Sequence, residues 1–242
     1  MTLNLSSGRE APIKPSKEAA YYQLPPSAIL QDIYQLPDQP REVEIKGLKM
    51  ICCPHVYPSD RFRTTNFLLN SIHPFLKDSR VCDMGCGPGI VGLYAISQGA
   101  KKVVQADINP FAVKNAEQNK EYHCISDEKM SVHLSNCFDS VPRQRFDVTI
   151  FNLPFHSDPI EINDPLQRAF FDPCFQTVKK FLNQVSEFSI KRSTRIFLAF
   201  SNKGDIEALE NLFEDSIFDW KLWKVINQDQ QFDNRIYLLR KV

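Results

Sequence analysis

The 242-residue chain carries 29 Lys+Arg against 29 Asp+Glu, a formal net charge of zero. That length buries a full core without staples and holds one good-sized domain plus an appendage. The balanced charge removes any global electrostatic footprint for nucleic acid or anionic lipid, and no apolar run reaches the length of a membrane span.

Residues 1–42 hold six of the sixteen prolines and little periodic apolar character. They read as an N-terminal extension that lies across the main domain or shapes the substrate entrance, leaving 43–242 as the domain proper. Ser27–Tyr34 has the spacing of a short helix, with Ile29, Leu30, Ile33 and Tyr34 on one face. Val43–Cys53 alternates loosely and predicts a strand pair turning at Lys46-Gly47. After His55–Arg63, the spacing of Phe67, Leu68, Leu69, Ile72, Phe75 and Leu76 predicts a helix, with Thr64 or Thr65 as its N-cap.

Next comes Val81-Cys82-Asp83-Met84-Gly85-Cys86-Gly87-Pro88-Gly89. Four of the chain's eight glycines (Gly85, Gly87, Gly89, Gly92) fall in this strand–turn–helix passage. Glycine admits positive φ and lets a ligand approach the backbone. In an open α/β sheet the turn after the first strand is where a nucleotide-like ligand sits. Gly87–Gly92 formally satisfies G-x-G-x-x-G, with Asp107 downstream, so a nicotinamide oxidoreductase is one reading. Asp83 opposes it, because a carboxylate before the loop repels pyrophosphate. It suits an ammonium or a sulfonium, and S-adenosylmethionine carries both, with a carboxylate for backbone N–H groups near the helix start.

The alternation continues. Ile90–Gln98 predicts a helix stopped by Gly99, and Lys102–Asp107 a strand. Asn109-Pro110 opens a helix through Tyr122, and Met130–Leu134 and Phe146–Phe151 are strands. A long amphipathic helix is expected at about Leu166–Phe188, with Phe170, Phe171, Phe175 and Phe181 on its core face. Thr194–Phe200 is a strand, Asp205–Phe213 a helix, and Trp220–Ile226 with Arg235–Leu239 a closing hairpin. Strands alternating with helices imply a mostly parallel sheet with right-handed crossovers. The seven cysteines include no C-x-x-C pair, so they read as buried free thiols in a reducing cytoplasm, without a metal site.

The pattern D-x-G-x-G-x-G from Asp83 to Gly89, with a strand ending in Asp107, resembles the class I S-adenosylmethionine-dependent methyltransferases. Asn152-Leu153-Pro154-Phe155, at the end of a strand facing the same crevice, resembles their signature (Asn/Asp)-Pro-Pro-(Tyr/Phe), which marks methylation of a nitrogen conjugated to a planar system. The Tyr57–Leu69 passage resembles methyltransferases of the small-domain type, where a threonine at the helix start borders the cofactor pocket; Thr65 is the matching position. The run from Ser135 to His156 is most similar to ribosomal RNA guanine-amine methyltransferases, and the upstream passage to protein-glutamine methyltransferases. Leu153 departs from the pattern, and the turn loses one fixed φ.

The resemblance implies a Rossmann-like, seven-stranded, doubly wound sheet, mostly parallel, with an antiparallel C-terminal hairpin. It implies S-adenosylmethionine held by Thr65, Asp83, Gly85, Cys86, Gly87, Gly89, Asp107, Ile108, Asn136, Cys137 and Asn152. Asn152, Leu153, Pro154 and Phe155 would hold the acceptor nitrogen, two oxygen acceptors taking its N–H groups and Phe155 stacking on the plane. RNA, a protein glutamine or a small molecule are the acceptor classes. The small molecule gains from the absence of a large substrate-reading segment and of a basic footprint. A non-catalytic cofactor-binding partner subunit is the reading from another class. His55 and His156 are read as structural or as proton acceptors, and Lys191, Arg192 and Arg195 as a solvated cluster or a phosphate contact.

Overall fold

The computed structural model describes residues 25–190, 192–227 and 232–242. The chain enters as helix α1 (Pro26–Tyr34) and a ribbon of β1 (Arg41–Ile45) and β2 (Leu48–Cys52), paired antiparallel. Lys46 and Gly47 turn it with φ of 54° and 76°, the left-handed pair that matches strand twist in a two-residue hairpin. Then follow α2 (Arg63–Ile72), β3 (Arg80–Met84), α3 (Ile90–Ser97), β4 (Lys102–Asp107), α4 (Pro110–Tyr122), β5 (Met130–Leu134) and β6 (Val148–Asn152). The last third comprises α5 (Gln176–Val185), β7 (Arg195–Ser201), α6 (Ile206–Glu214), β8 (Phe218–Asn227) and β9 (Asp233–Lys241).

Seven strands make one sheet in the order β5-β4-β3-β6-β7-β9-β8. The first five are mutually parallel, and β9 runs antiparallel to both β7 and β8. This is the expected doubly wound sheet with a closing hairpin. Its central strands are apolar on both faces because helices cover both. Cys82, Phe151 and Leu198 join the cluster under α5 and α6, while their neighbours Val81, Ile150 and Phe197 join the one under α2 and α3. Two buried asparagines of α4 tie the β1–β2 ribbon to this body. Asn119 Oδ1 accepts from Ile51 N at 2.7 Å and Asn115 Oδ1 from Cys53 N at 2.9 Å. Asn119 Nδ2 also donates to Pro88 O in the glycine loop at 2.8 Å.

Several expectations need correction. Neither Thr64 nor Thr65 caps α2; the cap position is Phe62, and Thr64 Oγ1 instead donates to Asn234 Oδ1 at 3.2 Å. The long helix over 166–188 is broken. A 3-10 turn at Pro165–Ala169 precedes an irregular stretch, and α5 starts only at Gln176. Pro173 lacks an N–H, Cys174 and Phe175 hold φ of 55° and 54°, and Asp172 takes over as the cap. The Asp172 carboxylate accepts from Thr177 N at 2.7 Å and Val178 N at 3.0 Å. Phe170 and Phe171 therefore leave the helix face and pack with Phe62, Leu166 and α1. In α1, Ile29, Leu30 and Ile33 are buried there as expected, but Tyr34 is 44% exposed. Cys124 and Cys174 are exposed, so not every thiol is buried. Lys191 and residues 1–24 lie outside the described residues. Arg195 stacks its guanidinium 4.9 Å above the Phe75 ring. Among the described residues no helix is long and apolar enough to cross a membrane.

Candidate active site

Strand order builds the site. From β3 the chain winds outward through β4 and β5, then returns to put β6 and β7 on the other side. The crevice at this switch point lies beyond the strands' carboxyl ends. Register places Met84 beside Phe151, so Gly85 and Asn152 leave the sheet side by side, with Asp107 one strand away. A cavity opens there. Gly85, Gly87, Asp107, Ile108, Asn136, Cys137, Asn152 and Pro154 all line it.

Each loop has a local reason. Gly89 holds φ of 92° as the cap of α3, a conformation that β-carbons resist. Gly87 holds φ of 53° and a Cβ there would meet only Tyr57 Cβ at 3.8 Å, so it opens onto the cavity. Its N–H donates to Asp107 Oδ2 at 2.9 Å, while Asn109 N donates to Oδ1 at 2.8 Å. The carboxylate thus keeps acceptor capacity beyond these bonds. Asn109 caps α4 through Phe111 N at 2.9 Å and fastens His55 O at 2.8 Å. Across the cavity Cys137 takes φ of 54°, and Ser135 Oγ holds that turn by donating to Cys137 O at 2.8 Å.

Four of the residues that the sequence marked as cofactor-binding lie behind this wall. Thr65, Asp83 and Cys86 are 3%, 2% and 5% exposed and, like Gly89, do not border the cavity. Asp83 supports the loop from below, accepting from Gln105 Nε2 at 2.8 Å. Burial pushes its carboxyl up to about 7, with the nearby Asp107 adding to the shift against hydrogen bonds from Gln105 and Gly92. Burial likewise raises Asp107 against three backbone donors. The loop's N–H groups are also spoken for. Gly85 N and Cys86 N donate to Ala106 O at 2.8 and 3.1 Å, and Gly89 N to Cys86 O at 2.9 Å.

Beyond Asn152 lies a second cavity, a slot walled by Ile29, Tyr57, Phe62, Phe155, Phe170 and Phe232. Leu153, His156, Thr64, Asn234, Ser201 and Lys203 complete it. Tyr57 stacks on Phe62 with centroids 5.0 Å apart, and Phe155 meets Phe200 edge-on at 5.6 Å. Tyr57, Asn152 and Ala169 line both cavities, so the two spaces adjoin. At that junction Asn152 Oδ1 is buried with no hydrogen-bond partner among the described residues. Burying an amide oxygen unpaired costs about 1–3 kcal/mol, which a ligand N–H recovers.

His156 is no ready base. Burial lowers His156 to about 4, and its ring leans on Phe171 with centroids 5.5 Å apart. His55 acts through its carbonyl. Sequence reasoning missed Tyr57, Arg168 and Ala169 on the first cavity and Lys203 on the second. No local pattern marks them, because irregular segments from distant parts of the chain bring them in.

An α/β sheet with a glycine loop, a strand-end aspartate and a buried asparagine at its switch point has the layout of a nucleotide-type ligand site. The methyltransferase small domain family matches residues 47–187. The chain belongs to that family. A candidate protein N5-glutamine methyltransferase of Methanocaldococcus jannaschii is 33% identical over 130 residues, covering 53% of this chain and 62% of that protein. A ribosomal protein L11 methyltransferase of Acinetobacter baumannii is 42% identical over 79 residues, 32% of this chain and 26% of that one. The chain thus spans less than two thirds of these curated relatives. Among solved structures, a T. thermophilus 16S rRNA N2-guanine methyltransferase in complex with AdoMet and guanosine shares the fold. Its TM-score is 0.63 at 17% identity, covering 84% of this chain and 50% of that one.

Proposed function

We propose that the chain transfers a methyl group from S-adenosylmethionine to a nitrogen of a planar acceptor, an exocyclic amine or a carboxamide. The observation that carries this reading is Asn152 Oδ1, buried and unpartnered where the two cavities adjoin. The first cavity fits the donor. Asp107 offers two oxygens for the ribose hydroxyls, Ile108 and Asn136–Cys137 flank the adenine, and Gly85 and Gly87 admit the ligand against backbone. Asp83, with Gln105, holds the loop from below. Arg168 on the same wall suits the donor's carboxylate better than the loop N–H groups, which already donate within the protein. That engagement also disfavours a dinucleotide, whose pyrophosphate needs those N–H groups.

When bound, S-adenosylmethionine supplies an electrophilic methyl on a sulfonium. The chain's own work is positional. Asn152 Oδ1 and the Leu153 carbonyl hold the acceptor's N–H groups and turn its nitrogen lone pair toward the first cavity. Phe155 and Tyr57 bracket the plane. Orientation of this kind lowers barriers by about 7–11 kcal/mol in the best cases. No strong base is needed beforehand, since the nitrogen becomes acidic only on alkylation, and His156 near 4 is not one.

Residues 43–242 form the methyltransferase domain in this reading. The preceding segment finishes the acceptor slot, since α1 contributes Ile29 to its wall. A narrow slot with aromatic walls favours a small planar group, from a small molecule or a single extruded side chain or base. The unpaired cysteines support a reducing, cytoplasmic setting. Calorimetric titration with S-adenosylhomocysteine beside NAD tests the donor: micromolar binding of the former alone is expected. Binding of NAD alone, or of neither, would overturn it.

A further inference from the structure

Among the described residues lining the first cavity, the charged ones are Asp107 and Arg168. They reach it by different routes. Asp107 ends β4 and is held by two backbone N–H groups, whereas Arg168 rides on the 3-10 turn Pro165–Ala169. That turn belongs to an excursion between β6 and α5. Its base is closed where His156 N donates to Phe170 O at 3.0 Å and Asp172 N to His156 O at 2.8 Å. Within the turn the bonds are local: Asp164 Oδ1 accepts from Leu166 N at 2.7 Å, and Gln167 O from Phe170 N at 2.9 Å. Arg168 is exposed and, among the described residues, has no hydrogen-bond or ion-pair partner.

Three successive residues here serve different spaces. Arg168 lines the first cavity, Ala169 lines both, and Phe170 walls the acceptor slot. Leu166 and Phe170 pack with Phe62 and with Ile29, Leu30 and Ile33 of α1. This small apolar cluster is separate from the two that flank the sheet. Such a satellite opens at a lower free energy than the sheet core, so its position responds to what binds it. A guanidinium gains most from a carboxylate, which it can take in two parallel hydrogen bonds. The amino-acid arm of S-adenosylmethionine carries one, and a hold on Arg168 is felt at the acceptor wall two residues on.

We propose that this turn senses the donor: Arg168 grips the donor's carboxylate, and the grip fixes Ala169 and Phe170 as the wall of the acceptor slot. The proposal rests on the donor reading above. It makes binding ordered, because the acceptor meets a finished slot only once the donor's amino-acid arm is in place. A nucleoside without that arm fills the ribose and adenine end of the cavity and leaves the turn as loose as before.

The test follows the full chain by calorimetry and by hydrogen exchange of the amides at 166–171. The ligands are S-adenosylhomocysteine and methylthioadenosine, which lacks the amino-acid arm. S-adenosylhomocysteine should slow exchange at 166–171 by about fivefold or more, and methylthioadenosine at saturation should not. Arg168→Met should weaken S-adenosylhomocysteine about tenfold or more, leave methylthioadenosine within about twofold, and abolish the added protection. Unchanged affinity in Arg168→Met would overturn the proposal. So would equal protection by the two ligands, protection that survives the substitution, or bound S-adenosylhomocysteine that protects nothing at 166–171. Failure of S-adenosylhomocysteine to bind the wild type is a separate result, and it removes the donor reading instead.

Discussion

The cavity proposed for the donor and the slot proposed for the acceptor share Asn152, yet they are assembled on different principles. The donor wall is built where successive strands end: Gly85 and Gly87 after β3, Asp107 and Ile108 after β4, Asn136 and Cys137 after β5. Each group is fixed by bonds to residues a few positions away or one strand over. The acceptor slot draws on α1, the loop before α2 and that helix's first turn, the end of β6 and the segment after it, residues 169–170, the end of β7 with its following turn, and residues 232–234. A sheet with strand-end loops forms the first almost automatically. The second exists only once the whole chain has folded, so single changes should separate the two.

The largest effect is expected where they meet. Asn152→Ala removes the unpartnered oxygen but leaves the donor wall otherwise intact. Turnover with any acceptor that the wild type methylates should fall about 100- to 1000-fold, the loss typical of one preorganised hydrogen-bonding group. Affinity for S-adenosylhomocysteine should change by only a few-fold. Comparable losses in both quantities would mean that the residue serves the donor alone.

Next is Leu153→Pro, which restores the usual residue of the signature. Leu153 is 2% exposed in the core, and its N–H extends the β6–β7 ladder by donating to Ala199 O at 3.0 Å. Proline has no N–H to make that bond. A cost of about 3 kcal/mol is expected, roughly 6–12 °C in Tm by calorimetry. An unchanged Tm would mean that the ladder bond and the leucine packing carry little weight, and that the departure from the signature is neutral.

Gly204→Ala and Gly87→Ala then sharpen the contrast. At Gly204 the new methyl must displace Phe155 O, costing about 2 kcal/mol and disturbing acceptor binding while donor affinity holds. At Gly87 there is room, so the cost is about 1–2 kcal/mol of left-handed strain, and the methyl intrudes on the donor cavity instead. Thermal melts with and without S-adenosylhomocysteine separate them, because only the Gly87 variant should lose ligand stabilisation.

This contrast also explains what could be read in advance. Lys102–Asp107 and Met130–Leu134 match the sequence expectation residue for residue: the first is a short, largely buried run with clear ends, the second a half-exposed edge strand that alternates in sequence. The segment at 166–188 looks like one amphipathic helix by spacing alone. Pro173 and the Asp172 cap redirect it, and that redirection delivers Phe170, Ala169 and Arg168 to the two cavities. Asp83 was legible as important but not as buried: a D-x-G-x-G-x-G pattern does not say which side of the wall its carboxylate takes. Lys203 had no signal at all, being one lysine in a turn after a strand.

The smallest effect bears on Asp83 and is read from pH. In the unfolded chain its carboxyl titrates near 3.8, while burial raises it to about 7 in the folded protein. Between those values the folded state holds a proton that the unfolded state releases, so this group's contribution to stability declines as pH rises through that window. A ligand ammonium that senses Asp83 favours the carboxylate and reverses the trend for binding. Affinity for S-adenosylhomocysteine should then rise by up to about tenfold between pH 6 and 8. Methylthioadenosine, which keeps the ribose and adenine but lacks the amino acid, should show no such rise, and the comparison subtracts any titration of Asp107. Asp83→Asn should flatten the profile of the first ligand to that of the second. A flat profile in the wild type would leave Asp83 as a support for the glycine loop alone, bound to Gln105, and would move recognition of the donor's amino group onto the cavity wall itself.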